Sequence, residues 1–254
     1  MLNMITARYA GRFWEIDFWR GCAVTGMIIY HLVYNLFAFG SFRLNPHGGF
    51  WLYFQRGVAI SFITLVGISL SLGYSRLLER KKVPEFSKYA RRGGIIFFYG
   101  LVITIVTYFF LGDWYVRFGV LHCIGISIIL GYFFLRFYWL NLVLGTSIIT
   151  AGWILYDQAF HFSSFTWLGF RPYGFYTVDY FPLLPWFGVV LVGIFLGKTL
   201  YPGYRRRFQI SDYSTVPLVS FFNFCGQHSL VIYLLHQPAL IAVLALFGLI
   251  TFTW

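Results

Sequence analysis

The sequence predicts an all-α protein, a polytopic transmembrane bundle of about seven spans with its N-terminus cytoplasmic, and three observations lead there. Its 254 residues are 59% hydrophobic and only 11% charged, with a mean hydropathy of +0.72, far from the composition of soluble domains. The apolar residues gather in runs of roughly 20, the length that crosses a bilayer core at 1.5 Å per residue. The basic residues stand mostly between those runs, where they set orientation. The net charge of +11 therefore belongs to topology, and no nucleic-acid partner is expected. Cys22, Cys123 and Cys225 fall in or beside apolar runs without zinc or disulfide spacing, so they are packing residues and no metal site is expected.

Residues 1–17, with Arg8, Arg12, Glu15 and Asp17, form a short amphipathic lead-in at the membrane surface. The first span covers residues 18–39. It is too long for a signal-peptide core and lacks a small-residue cleavage site, so it is expected to be retained. A loop with Arg43, Pro46 and His47 leads to a second span, residues 51–74, whose Gly67-x-Ser69-x-Ser71 run suits close helix packing. Residues 76–92 hold seven cations against Glu79 and Glu85, the densest charge run in the chain and a loop expected on the cytoplasmic side. Spans three, four and five follow at residues 93–111, 116–135 and 138–156. Residues 157–180 are too rich in Gly, Ser and aromatic residues to span and are expected to be an outer lid or re-entrant segment. Asp179 to Gly188 opens span six, which runs to Leu200, and a basic loop with Arg205, Arg206 and Arg207 precedes span seven, residues 228–250. Fifteen of the cations then fall on one side and Arg43, Arg56, Arg117 and Arg171 on the other, which places the N-terminus in the cytoplasm. The whole chain, residues 1–254, reads as one domain.

The first span carries an ionisable stripe. Eleven residues at 100° each bring His31 back to within about 20° of Arg20, roughly 16 Å further along the axis. Asp17, one turn before Arg20, and Asn35, one turn after His31, extend the same face. An ionisable group at membrane depth costs at least ~2.5 kcal/mol on insertion scales, so such a stripe marks a polar cavity and a candidate site. The plainer reading is topological: Arg20 snorkels at the helix end and His31 is a satisfied polar group between helices. A guanidinium offers a planar set of donors to a phosphate or a carbonyl, and Asp17 can hold it. An imidazole such as His31 can take a proton from a hydroxyl or amine. His122 at the start of span four and His236 in span seven are further candidates, while His228 marks the start of span seven. Asp179 either binds an acceptor hydroxyl or caps the helix that follows it.

Trp14-Glu15-Ile16-Asp17-Phe18-Trp19-Arg20-Gly21 with Ile29-Tyr30-His31-Leu32, then Phe118 to Gly125, Asp179 to Gly188 and Gly226 to Pro238, resembles the bacterial and archaeal membrane family related to the heparan-α-glucosaminide N-acetyltransferase catalytic domain. The resemblance covers nearly the whole chain. The sequence is also similar to the broader acyltransferase type 3 group, which has Arg, ten residues and His on its first helix, as Arg20 and His31 stand here, and a late pattern matched by Ser229, Tyr233 and His236. The resemblance implies a multi-pass enzyme of a prokaryotic cytoplasmic membrane that moves an acyl group, acetyl above all, from cytoplasmic acyl-CoA to a carbohydrate-type acceptor on the far side. Arg20, Asp17, Ser229 and His236 would then hold the acyl-CoA, and His31, Arg20 and His122 would be catalytic. Many relatives have Asp where this chain has Asn35, and in the heparan enzyme itself the catalytic histidine follows this helix, which makes His47 a rival to His31. Two other classes fit the same residues. One is a non-catalytic subunit that keeps the fold inside a larger membrane complex; the other is a b-type haem protein using two of His31, His122 and His236.

Overall fold

The structure is a computed structural model that describes residues 12–40 and 45–250. Eight α-helices account for the described architecture: α1 (Trp14–Phe39), α2 (Gly49–Glu79), α3 (Phe86–Leu111), α4 (Val120–Phe134), α5 (Trp139–Leu155), α6 (Leu183–Leu200), α7 (Pro217–Gln227) and α8 (Ser229–Leu246). Five of them, α1, α2, α3, α6 and α8, are long and apolar enough to cross a membrane; α4 and α5 are apolar but only 15 and 17 residues long.

The helices form two compact bodies. The first, within Met1–Leu65 and Gln209–Trp254, is built from α1, the start of α2, α7 and α8. The second, Val66–Phe208, contains the end of α2 and α3 to α6. In the first body α1 packs chiefly on α7 and also on α8. Glycine makes the close crossing with α7 possible: a Cβ on Gly21 would fall on the Phe222 carbonyl, and one on Gly226 would fall on the Asp17 carbonyl. In the second body α5 lies on α6 and α3 on α4, again through facing glycines, Gly145 with Gly188 and Gly93 with Gly125. The Gly67-to-Ser71 run does what its composition predicts: Gly67 faces the Val190 carbonyl and Ser71 faces Gly197.

Several boundaries differ from the sequence reading. Helix α1 starts at Trp14, so Glu15 and Asp17 belong to its first turn and are buried instead of lying in a surface lead-in. Acidic side chains at that end offset the unpaired N–H groups and the dipole, which is why the helix can begin there. Residues 1–11 of that lead-in, and Arg43, lie outside the described residues. Helices α2 and α3 both run into the charged stretch, α2 to Glu79 and α3 from Phe86, because Arg, Lys and Glu are good helix formers once the apolar run has nucleated the helix. The last apolar stretch is broken at His228 into the short α7 and the longer α8.

Segment 157–182 is irregular. Phe118 pairs with Tyr180 in an isolated parallel bridge, Phe181 donates its N–H to the Phe118 carbonyl, and Val178 donates to Trp114, so its second half is stitched to the turn between α3 and α4. Thr177 adds a hydroxyl hydrogen bond to the Tyr115 carbonyl at 2.8 Å.

Candidate active site

The stripe on α1 meets two amide-bearing helices. At its start Arg20 donates from Nη1 to Asp17 Oδ1 at 2.8 Å, and the other carboxylate oxygen, Oδ2, accepts from Gln227 Nε2 at the end of α7 at 3.3 Å. Asp17 is 6% exposed and Arg20 22%, so the pair is held where water screens it poorly. A cavity of about 460 Å³ opens beside it, lined by Trp14, Asp17, Ser220, Asn223 and Gln227 among others.

Further along α1, His31 Nδ1 lies 2.9 Å from the Met27 carbonyl one turn back. A carbonyl can only accept, so Nδ1 carries the proton and Nε2 presents a lone pair. His236 on α8 is held the same way, Nδ1 against the Tyr233 carbonyl, and its Nε2 is buried with no hydrogen-bond partner among the described residues. The two imidazole rings pack edge to face with centroids 4.7 Å apart. One turn on, Asn35 is wholly buried and exchanges amide hydrogen bonds with Gln237: Nδ2 donates to Oε1 at 3.0 Å, and Gln237 Nε2 donates back at 3.4 Å. This pair ties α1 to α8 one turn after His31 and one residue after His236, and so fixes the depth at which the rings meet. Tyr30 lies against His31, Tyr34 against Tyr30, and the exposed His47 against both Tyr34 and Phe37. Ser229 is buried at the first turn of α8.

The second body holds the other candidates. His122 lies in the first turn of α4, where its Nδ1 accepts from the Gly119 N–H at 3.2 Å. Its ring stacks on Phe118 and meets Phe97 edge-on, and Gly100 of α3 lets the backbone approach the ring face. The proton is then on Nε2, which is buried and has no partner among the described residues. Asp179 does not cap α6. Its Oδ2 accepts from the Val120 N–H at 3.1 Å and so caps α4 from a distant part of the chain, in a space that exists because residue 119 has no Cβ. Burial pushes this carboxyl up to about 6 from 3.8, against the pull of the Val120 N–H.

The structure therefore brings together Asp17 with Arg20 and His31 with His236, and it places His47 beside Tyr34 at the far end of the same aromatic chain. Gln227 and Gln237 were not singled out as site residues; the motif that contains them was visible, but nothing about a neutral amide distinguishes a site residue from a packing one. The haem reading does not fit His31 and His236. Two imidazoles ligating one iron from opposite faces need centroids roughly 6 Å apart, given metal–nitrogen bonds of about 2 Å, and these two lie 4.7 Å apart, edge to face.

A family model described as heparan-alpha-glucosaminide N-acetyltransferase, catalytic, matches residues 12–238. The chain belongs to that family. The match takes in the Asp17–Arg20 pair, both histidines of the α1–α8 contact, His122, Asp179 and the Asn35–Gln237 pair, and it ends one residue after Gln237. Membership in the heparan-alpha-glucosaminide N-acetyltransferase family, together with the apolar helices, supports a multi-pass membrane acetyltransferase. Comparison with curated proteins and with solved structures gives no match.

Proposed function

We propose that the protein transfers an acyl group, acetyl above all, from acyl-CoA to a hydroxyl or amine of a carbohydrate-type acceptor, with His31 as the base. The observation that carries this reading is the orientation of His31: its Nδ1–H is spent on the Met27 carbonyl, which leaves Nε2 as a proton acceptor on the ionisable face of α1. In the reaction Nε2 takes the proton of the acceptor O–H or N–H as that atom attacks the thioester carbonyl. The C–S bond breaks, and the proton passes to the departing thiolate, so free CoA and the acylated acceptor leave a neutral imidazole behind. His236, packed edge-on, and the Asn35–Gln237 amides hold the ring in that orientation.

Arg20 binds the donor in this scheme. Asp17 and Gln227 point its guanidinium, and the roughly 16 Å from Arg20 to His31 along α1 suits a long, thin donor laid along the helix. Ser229, buried at the start of α8, belongs to the donor path in this scheme. The protein lies in a prokaryotic cytoplasmic membrane with its N-terminus inside, donor entry on the cytoplasmic side and residues 157–180 outside.

The test is release of free CoA thiol from acetyl-CoA by the purified protein, with and without amino-sugar and neutral-sugar acceptors. Sugar-dependent release is expected. His31→Ala is expected to lower it by 10²- to 10⁴-fold, the usual worth of a positioned base, while His47→Ala changes it little. Loss on His47→Ala with an active His31→Ala protein would move the base to His47.

A further inference from the structure

A second cavity, about 520 Å³, lies in the other body, where the end of α2 meets the turn after α6. Its wall includes Ser75, Leu78, Glu79, Pro202, Gly203 and Arg205. Its rim is basic. Arg76 lies over the Tyr204 ring at 5.8 Å, Arg80, Lys81 and Lys82 follow Glu79 directly and are exposed, and Arg205 and Arg207 stand exposed on the facing turn. One carboxylate, Glu79, answers these six cations.

Two features separate this rim from an ordinary orienting loop. First, the only two non-glycine residues with positive φ among the described residues are here, Lys81 at 53° and Tyr204 at 60°. Lys81 closes α2 in the position where glycine is least costly: its N–H bonds the Leu78 carbonyl and that of Lys82 bonds the Leu77 carbonyl. A lysine holds that position in place of glycine, and Tyr204 sets its ring beneath Arg76. Second, Arg205 stands on the wall of a cavity large enough for a headgroup or a nucleotide phosphate, and Arg80, Lys81 and Lys82 follow its wall residue Glu79 in the chain, whereas charges that only orient a helix need no cavity. Balancing the carbonyl ends of α2 and α6 takes one or two of the six.

We propose that this cavity is a binding site for a phosphate-bearing anion, held by Arg205 with the Arg76, Arg80, Lys81 and Lys82 rim. The chemistry it recognises is a phosphate ester with at least two charges or two neighbouring phosphates, since one singly charged group leaves most of the rim unmatched. A two-phosphate lipid headgroup, such as that of cardiolipin, and a soluble compound with two phosphates both present this.

The experiment uses the full chain in nanodiscs. Thermal stability is measured in phosphatidylcholine alone, in phosphatidylcholine with cardiolipin, and in phosphatidylcholine with pyrophosphate or 3′,5′-ADP added at constant ionic strength. The variants are Arg205→Gln and, as a control that removes the same charge elsewhere in the basic run, Arg91→Gln. Stabilisation by at least one of these anions is expected, with at least tenfold weaker apparent affinity in Arg205→Gln and little change in Arg91→Gln. A response to anionic lipid alone identifies a headgroup as the source; a response to pyrophosphate or 3′,5′-ADP in neutral lipid identifies a soluble phosphate. No response to any of them, or equal weakening by the two substitutions, overturns the site. Arg205→Lys, which keeps the charge, is expected to restore most of the response.

Discussion

Asp179→Asn is expected to make the protein more stable than the wild type above about pH 6 and to leave it nearly unchanged near pH 4. The carboxyl is half-buried where segment 157–182 meets α4, with the Val120 N–H on Oδ2 and no other hydrogen-bond donor on it among the described contacts. Its value is raised from 3.8 to about 6 by burial. A group raised in the folded state holds a proton there that the unfolded chain gives up. Its contribution to stability is therefore complete below about pH 4 and is lost as the pH rises through about 6. Above that range the folded protein carries a charge it would shed, at a cost of at most about 3 kcal/mol, since each tenfold change in acidity corresponds to about 1.4 kcal/mol and the residue's partial contact with solvent screens some of it. Asparagine keeps a carbonyl oxygen for the Val120 N–H and has no charge to shed. For a chain of this size each kcal/mol moves the melting temperature by roughly 2–4 °C, so the gap between variant and wild type should open by several degrees between pH 4 and pH 8. The assay is thermal melting of both proteins in one detergent across that range, with the difference cancelling the titration of every other group. A difference that is constant with pH, or that favours the wild type increasingly as the pH rises, would refute the placement of this carboxyl.

Other consequences are equally direct. Gly21→Val and Gly226→Val each place side-chain carbons on a backbone carbonyl at the α1–α7 crossing and should lower the melting temperature sharply or prevent folding, whereas Gly73→Ala, with open space around it, should not. Asn35→Ala strands the Gln237 amide and should cost about 1–3 kcal/mol in stability; Asn35→Ala with Gln237→Leu should cost less than the two single substitutions together, as a thermodynamic cycle of melts will show. Thr177→Val removes the hydroxyl hydrogen bond to the Tyr115 carbonyl and should loosen segment 157–182 by about 1 kcal/mol, seen as faster hydrogen exchange at residues 176–181.

The apolar runs alone were enough to locate the long helices, because a membrane-crossing segment must satisfy every backbone group internally and so announces itself in composition. The errors lie at the ends. Glu15 and Asp17 look like surface residues in the sequence but are buried, since Asp17 is paired with Arg20 and Gln227 in a way that only tertiary contact with α7 provides. The break that isolates α7 was half visible, in the choice of His228 as the start of the last span, but an 11-residue helix packed on Gly21 could not be read from hydropathy. At the site, the Asp17–Arg20 pair was legible because residues three apart on a helix must be neighbours. The His31–His236 contact was not, since it depends on how far α8 slides along α1, and the Asn35–Gln237 pair that sets this is neutral and unremarkable in sequence. Asp179 was legible as a helix cap, but the helix it caps is α4, whose Val120 lies 59 residues earlier in the chain.

The most direct test of the account is the thermal stability of the purified protein with and without acetyl-CoA for the wild type, Arg20→Ala and His31→Ala. A ligand at a hundred times its dissociation constant stabilises the folded state by roughly 2.7 kcal/mol, which is easily measured. The account predicts that wild type and His31→Ala are stabilised and that Arg20→Ala is not. Stabilisation of Arg20→Ala equal to that of the wild type, or no stabilisation of any folded variant, would contradict it.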